Sequence, residues 1–142
     1  VSMFGTSASG LARRDSDLDL LLDLDGQGNR AVSRGELAAL LSECLLPALE
    51  AAGARELQSI PNARIPILRG KLGPTQFDLS LGTLCGLWNT RFLQYCAQHH
   101  PLVVPLCSCV ASWSKIQGVN DSPNGLLSTY SVLLLVIFFL QL

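Results

Sequence analysis

From Asp17 to Asp25 the chain reads DLDLLLDLD. Alternation of period two over nine residues specifies a strand with successive side chains on opposite faces. Leu18, Leu20, Leu22 and Leu24 fall on one face; Asp17, Asp19, Leu21, Asp23 and Asp25 fall on the other. The reading is a strand with one buried and one polar face. The rest of the chain can supply the buried side. Of 142 residues, 49% are hydrophobic and 15% charged, enough for one compact domain or somewhat more. The net charge of −1 gives no global basic field, so a nucleic-acid partner would have to be held by local patches.

Around this strand the organisation is α+β. Residues 1–4 read as a strand, and 5–16 as a glycine-containing loop with a helical turn. The GQGN turn closes the acidic strand. Ser33, with Glu36 three residues on, forms a capping box for a helix that Gly53 stops and Pro47 is expected to kink. RELQSI, ARIPILR and TQFDLSL read as three short strands, with Pro66 marking the second as an edge. After Gly82 the character becomes helical: LWNTRFLQYCAQ, then LVVPLCSCVASWSKIQ, then a GVNDSPNG loop and a final apolar helix. The expected division is a mixed-sheet catalytic domain over 1–83 and part of an all-helical domain over 84–142. Val1 is not a start methionine and the last helix stops inside an apolar run, so both ends are expected to be cut. The strictly apolar stretch Val132–Leu140 is too short to cross a bilayer, so no membrane is expected. Five cysteines without a C-x-x-C suggest free thiols in a reducing, intracellular compartment.

Five of the eleven acids lie between Asp15 and Asp25. Two carboxylates two apart on a strand point the same way and repel unless a cation sits between them. Hard oxygen ligands select Mg²⁺ or Mn²⁺. Asp17 and Asp19 are therefore candidate metal ligands. Asp78, the one acid between Glu56 and Asp121, lies in the apolar FDLSL and is the candidate third. Asp23 and Asp25 read as a solvated strand end. An EF-hand fails in two registers: starting at Asp15, Leu20 stands where glycine is needed, and with Gly26 in the glycine position, Leu21 stands at the first position and Val32 where glutamate is needed. A P-loop fails as well: Gly5 and Gly10 have the right spacing, but Leu11 and Ala12 stand where lysine and a hydroxyl belong. The small, hydroxyl-rich turn FGTSASG still favours a phosphate near the acids.

Four motifs in order carry a resemblance: FGTSASGLARRDSDLDL, ARIPIL followed by FDLSL, LWNTRFL, and WSKIQGVNDSPNGLLSTYSVLLLVIFFLQ. They resemble the nucleotidyltransferase superfamily typified by DNA polymerase β. Within it they are most similar to the noncanonical poly(A) polymerases and terminal uridylyltransferases. The resemblance implies a template-independent RNA 3′-terminal nucleotidyltransferase. The RNA 3′ hydroxyl would attack the α-phosphate of a ribonucleoside triphosphate in line, with two metal ions, Mg²⁺ or Mn²⁺, on Asp17, Asp19 and Asp78. It implies nucleotide binding by Gly5, Thr6, Asn89, Thr90, Lys115, Ser128, Thr129 and Tyr130: triphosphate at Gly5, Thr6 and Lys115, ribose at Asn89 and Thr90, base on Tyr130. Read without it, Asn89 and Thr90 would suit a helix cap, Lys115 a solvated charge, and Tyr130 a core aromatic.

ATP is the implied substrate, UTP the alternative, and a catalytically decayed RNA-binding scaffold the second alternative. Adaptor proteins are left open. Three departures stand out. Ala111 replaces a second phosphate lysine, His100 replaces an arginine, and Gly82 replaces an asparagine.

Overall fold

The computed structural model describes residues 1–13, 16–23, 33–63, 65–81 and 84–141. Asp15, Leu24, Asp25, the GQGN turn, Arg64 and Gly82 lie outside them. The order is β1 (Ser2–Phe4), α1 (Gly5–Ser9), β2 (Leu18–Leu22), α2 (Arg34–Ala39), a π-helical stretch (Leu40–Leu45) and α3 (Leu46–Ala51). Then come β3 (Arg55–Ile60), β4 (Ile67–Leu72), β5 (Thr75–Leu81), α4 (Cys85–His99), α5 (Val103–Ile116), a 3₁₀ turn (Ser122–Asn124) and α6 (Thr129–Leu140).

The five strands form one mixed sheet in the order β1-β2-β5-β4-β3. β2 and β5 pair in parallel at its centre, and every other pair is antiparallel. In-register neighbours share a face. Leu18, Leu20 and Leu22 therefore line up with Phe77, Leu79 and Leu81. These leucines pack with Leu41 and Leu68 into one core, joined by Leu37, Leu40, Leu45, Leu46 and Leu49 from the helical stretch. Burying such a side chain is worth roughly 1.5–3 kcal/mol. The other face of β2 carries Asp19 and Leu21. It is less polar than the alternation suggests, since Leu21 is only 2% exposed.

The helical stretch starts as expected. Ser33 Oγ accepts the Glu36 N–H at 3.3 Å, and Glu36 Oε2 accepts the Ser33 N–H at 2.8 Å. The kink expected at Pro47 takes another form. The π-helical stretch widens the turn just before Pro47, which has no N–H to donate and whose ring would crowd the carbonyl four residues back.

Pro66 calls for a correction. It sits just before β4, which is an interior strand flanked by β3 and β5. The missing N–H thus falls outside the ladder and imposes no edge position; β3 forms that edge. β4 also runs through Gly70, so the break between it and β5 is the short Gly73-Pro74 turn. Gly70 is needed there, because a Cβ would meet Leu57 at 2.5 Å and Phe77 at 2.9 Å.

A second core joins Leu11 to Leu93 of α4, Val103, Cys107 and Ala111 of α5, and Leu133, Val136 and Ile137 of α6. α4 lies against α1 and β1, where Gly86 lets the Phe4 ring approach its backbone. Among the described residues, no helix is long and apolar enough to cross a membrane.

Candidate active site

Pairing across the sheet aligns one row of residues on the face away from the leucine core. Phe4 on β1 is opposite Asp19 on β2, Asp19 is beside Asp78 on β5, and Asp78 is opposite Arg69 on β4. Alternation sends Asp17 to the same face as Asp19. The sheet thus puts the three predicted carboxylates on one face and sets Asp19 beside Asp78, although these two lie far apart in sequence.

The cluster is electrostatically strained at its centre. Burial, then the charges of Asp78 and Asp17, raise the Asp19 carboxyl from its usual 3.8 to about 6. Asp78 has a counter-charge that the sequence reading missed. Arg69 Nε donates to Asp78 Oδ1 and Arg69 Nη2 to Oδ2, both at 2.7 Å. The hydrogen bond to Asp78 raises the guanidinium's pKa; partial burial opposes this, and the charges of Asp78 and Asp17 reinforce it. The signal was present in the sequence. With a tight turn at Gly73-Pro74, counting outward along the hairpin puts Arg69 opposite Asp78.

The turn after β1 closes over Asp19. Gly5 has φ of +74°, and a Cβ there would collide with the Asp19 carboxylate, so both conformation and space call for glycine. The Gly5 N–H, expected to face a triphosphate, donates to Thr90 Oγ1 at 2.8 Å. Thr90 is buried, and its hydroxyl donates to the Gly86 carbonyl at 2.7 Å. Asn89 and Thr90 lie inside α4 rather than at its N-terminus, so the helix-cap reading does not hold. Ser7 Oγ donates to the Asp17 carbonyl at 3.1 Å and ties α1 to the entry of β2.

Two cavities open between the sheet unit and the helices. One, about 210 Å³, is lined by Thr6, Arg13, Asp17, Asp19, Ala111, Lys115 and Thr129, among others. The other, about 200 Å³, is lined by Gly5, Thr6, Asp19, Asn89, Thr90, Thr129 and Tyr130, among others. Thr6, Asp19, Thr129 and Leu133 are common to both. Asp78 lines neither. Tyr130 is half-buried, and its hydroxyl donates to Asn89 Oδ1 at 3.2 Å, bridging α6 to α4. Thr129 is held by Asn120, whose amide donates to its Oγ1 at 3.0 Å. Ser128 caps α6, accepting the Ser131 N–H at 3.1 Å, and lines neither cavity. Cys107 also lines the first cavity. Burial, with Cys96 nearby, pushes its thiol up to about 11, so it stays neutral there.

The donor set fits a hard divalent cation: oxygens alone, with repulsion at Asp19 that a cation would relieve. The three carboxylates do not yet form a cage. Among the described residues, no group of three potential ligands is gathered closely enough to hold an ion. Arg69 engages both oxygens of Asp78 instead.

Residues 1–98 match the family described as poly(A) RNA polymerase, mitochondrial-like, central palm domain. Protein HESO1 of Arabidopsis thaliana is 36% identical over 99% of the chain and 28% of its own length. Poly(A) RNA polymerase GLD2-A of Xenopus laevis is 32% identical over 98% of the chain and 27% of its own length. The chain thus spans about a quarter of these relatives. The solved GLD-2/RNP-8 complex superposes with a TM-score of 0.86 at 29% identity, over 99% of this chain and 43% of that one. Cid1, described by its RNA terminal uridylyl transferase activity, superposes with a TM-score of 0.76 at 28% identity, over 98% of this chain and 40% of that one.

Proposed function

Because the chain belongs to the mitochondrial-like poly(A) RNA polymerase family through its central palm domain, we propose that it is the palm-bearing part of an enzyme that adds AMP from ATP to RNA 3′ ends. The observation that carries the reading is the Asp19–Asp78 pairing at the centre of the sheet, with Asp17 on the same face and a cavity shared with Lys115 above it. A divalent cation, Mg²⁺ or Mn²⁺, on Asp17, Asp19 and Asp78 would neutralise the triphosphate and polarise the attacking hydroxyl.

The chain's own residues have assignable tasks in this proposal. Asp17 and Asp19 hold the charge that recruits the cation, and Asp78 completes it on the side of the RNA 3′ hydroxyl. Thr6 and Lys115 line the same cavity and bind the triphosphate there. Gly5 acts by letting the turn close over Asp19. Asn89, Thr90, Thr129 and Tyr130 line the second cavity, which suits a nucleoside: an apolar ring face beside amide and hydroxyl groups. Ser128 acts by capping α6 beneath Thr129 and Tyr130. Residues 1–83 form the catalytic unit of the proposal and 84–142 the beginning of its helical partner. A cytoplasmic location belongs to the same proposal.

UTP is the second reading, favoured by the likeness to Cid1. Primer extension with each ribonucleoside triphosphate, in Mg²⁺ and in Mn²⁺, on the full-length protein separates the two. Asp17→Ala is expected to abolish extension while circular dichroism stays unchanged. Extension by that variant would overturn the site assignment. A wild-type protein that folds, binds RNA and adds no nucleotide would make it a scaffold.

A further inference from the structure

Asp78 has a like charge beside it in the row and an opposite charge on its other flank. Asp19 adjoins it on β2, and Arg69 faces it from β4. The guanidinium takes both carboxylate oxygens at 2.7 Å, so neither is left bare toward Asp19 and Asp17. The backbone next to Arg69 is held in place, because Gly70 is packed under Leu57 and Phe77. The side chain itself is 50% exposed, against 18% for Asp78. A half-exposed guanidinium on a flexible stem can swing into water while the strand beneath it stays paired on both sides.

We propose that Arg69 is a built-in counter-ion that occupies Asp78 until a divalent cation competes for it, and so sets how tightly the site takes its metal. Arg69 is then a positioning residue. In the metal-free protein it offsets a carboxylate that would otherwise face Asp19 unpaired. When the cation binds, Arg69 must release at least one oxygen, and that release weakens metal affinity. This proposal rests on the reading of Asp17, Asp19 and Asp78 as metal ligands.

The test is a Mn²⁺ titration followed by electron paramagnetic resonance, on the full-length protein without nucleotide or RNA. Arg69→Gln is expected to bind Mn²⁺ about three- to tenfold tighter than wild type, the scale of a partly exposed charged pair. The gain should vanish on an Asp78→Asn background. Arg69→Lys, which cannot fork onto both oxygens, should fall between the two and stands in if Arg69→Gln does not fold. Thermal melts give the second readout: Arg69→Gln should lose stability in EDTA and recover more than wild type on adding Mn²⁺. Unchanged or weaker Mn²⁺ binding by Arg69→Gln and Arg69→Lys would overturn the proposal. If wild type binds Mn²⁺ and Asp78→Asn weakens it, the ligand reading survives that failure. If neither wild type nor Arg69→Gln binds Mn²⁺, both fall.

Discussion

Thr90 accepts the backbone N–H of Gly5 at 2.8 Å across 85 residues of sequence. Its hydroxyl simultaneously donates to the Gly86 carbonyl one turn back in α4. The first helix after the sheet therefore braces the turn that closes over Asp19. Thr90→Val keeps the shape and loses both bonds, leaving a partly buried N–H without its partner. The expected cost is about 1–2 kcal/mol of stability. The KM for nucleotide should rise more than kcat falls, because the turn loosens and the carboxylates do not. Thr90→Ser should behave as wild type. Melting curves and steady-state kinetics check both; a wild-type KM in Thr90→Val would remove the brace from the account.

Gly5 has a sharper requirement. Gly5→Ala puts a methyl where the Asp19 carboxylate lies and imposes a left-handed φ on a residue with a side chain. Backbone strain alone costs roughly 1–3 kcal/mol. Nucleotide addition should fall by at least tenfold, with Asp19 displaced. A fully active Gly5→Ala protein would show that the turn opens freely in solution.

Asp19 gives the metal-free protein a pH dependence of unusual sign for a carboxylate. Burial and the neighbouring carboxylates push it from 3.8 up to about 6 in the folded chain. Between the two, the folded chain keeps a proton that the unfolded chain has released. Its contribution therefore falls as pH rises through that window, and the penalty is complete above it. In EDTA at pH 7.5, Asp19→Asn is expected to melt higher than wild type, by the equivalent of about 1–2 kcal/mol after solvent screening. At pH 4 the difference should close. A difference independent of pH would mean that the carboxylate is not the source of the strain.

Ala111 and Lys115 lie one helical turn apart on α5 and line the cavity that holds Asp17 and Asp19. Ala111→Lys adds a second cation to that wall. Ala111 is only 3% exposed, so the new ammonium must reach the cavity along its stem; the KM for nucleotide is then expected to drop about three- to fivefold. Steady-state kinetics at fixed RNA reads it directly. A raised KM would place the triphosphate away from this wall.

The sequence made some of this legible and hid the rest for identifiable reasons. Strict alternation fixed the orientation of Asp17 and Asp19, because a strand's side-chain period is independent of its neighbours. TQFDLSL was legible to the residue, because Gly73-Pro74 marks the turn before it. What failed needed pairing information. Pro66 misleads as an edge marker because a proline near a strand does not reveal which strands flank it. Leu21 falls on a nominally polar face because alternation says nothing about what covers that face. Arg69 went unremarked because its meaning lies in register with Asp78, not in its own neighbourhood. The π-helical stretch lies just before Pro47, and a proline in a helical pattern does not by itself say whether the chain kinks or widens there.

The position of Arg69 also has a consequence for the order of assembly. β4 and β5 are joined by a short turn, whereas β2 meets β5 only after a loop of about sixty residues closes, as the Ser80–Leu20 contact spans 60 positions. Short closures are entropically cheaper and form sooner. The expected sequence is that the hairpin zips first and delivers Arg69 to Asp78 before Asp19 arrives. The nascent sheet would then receive its second carboxylate at an already neutralised edge. If so, Arg69→Gln should slow refolding more than it speeds unfolding, which stopped-flow chevrons can resolve. On that account the same guanidinium acts as a folding escort before any nucleotide or metal is encountered.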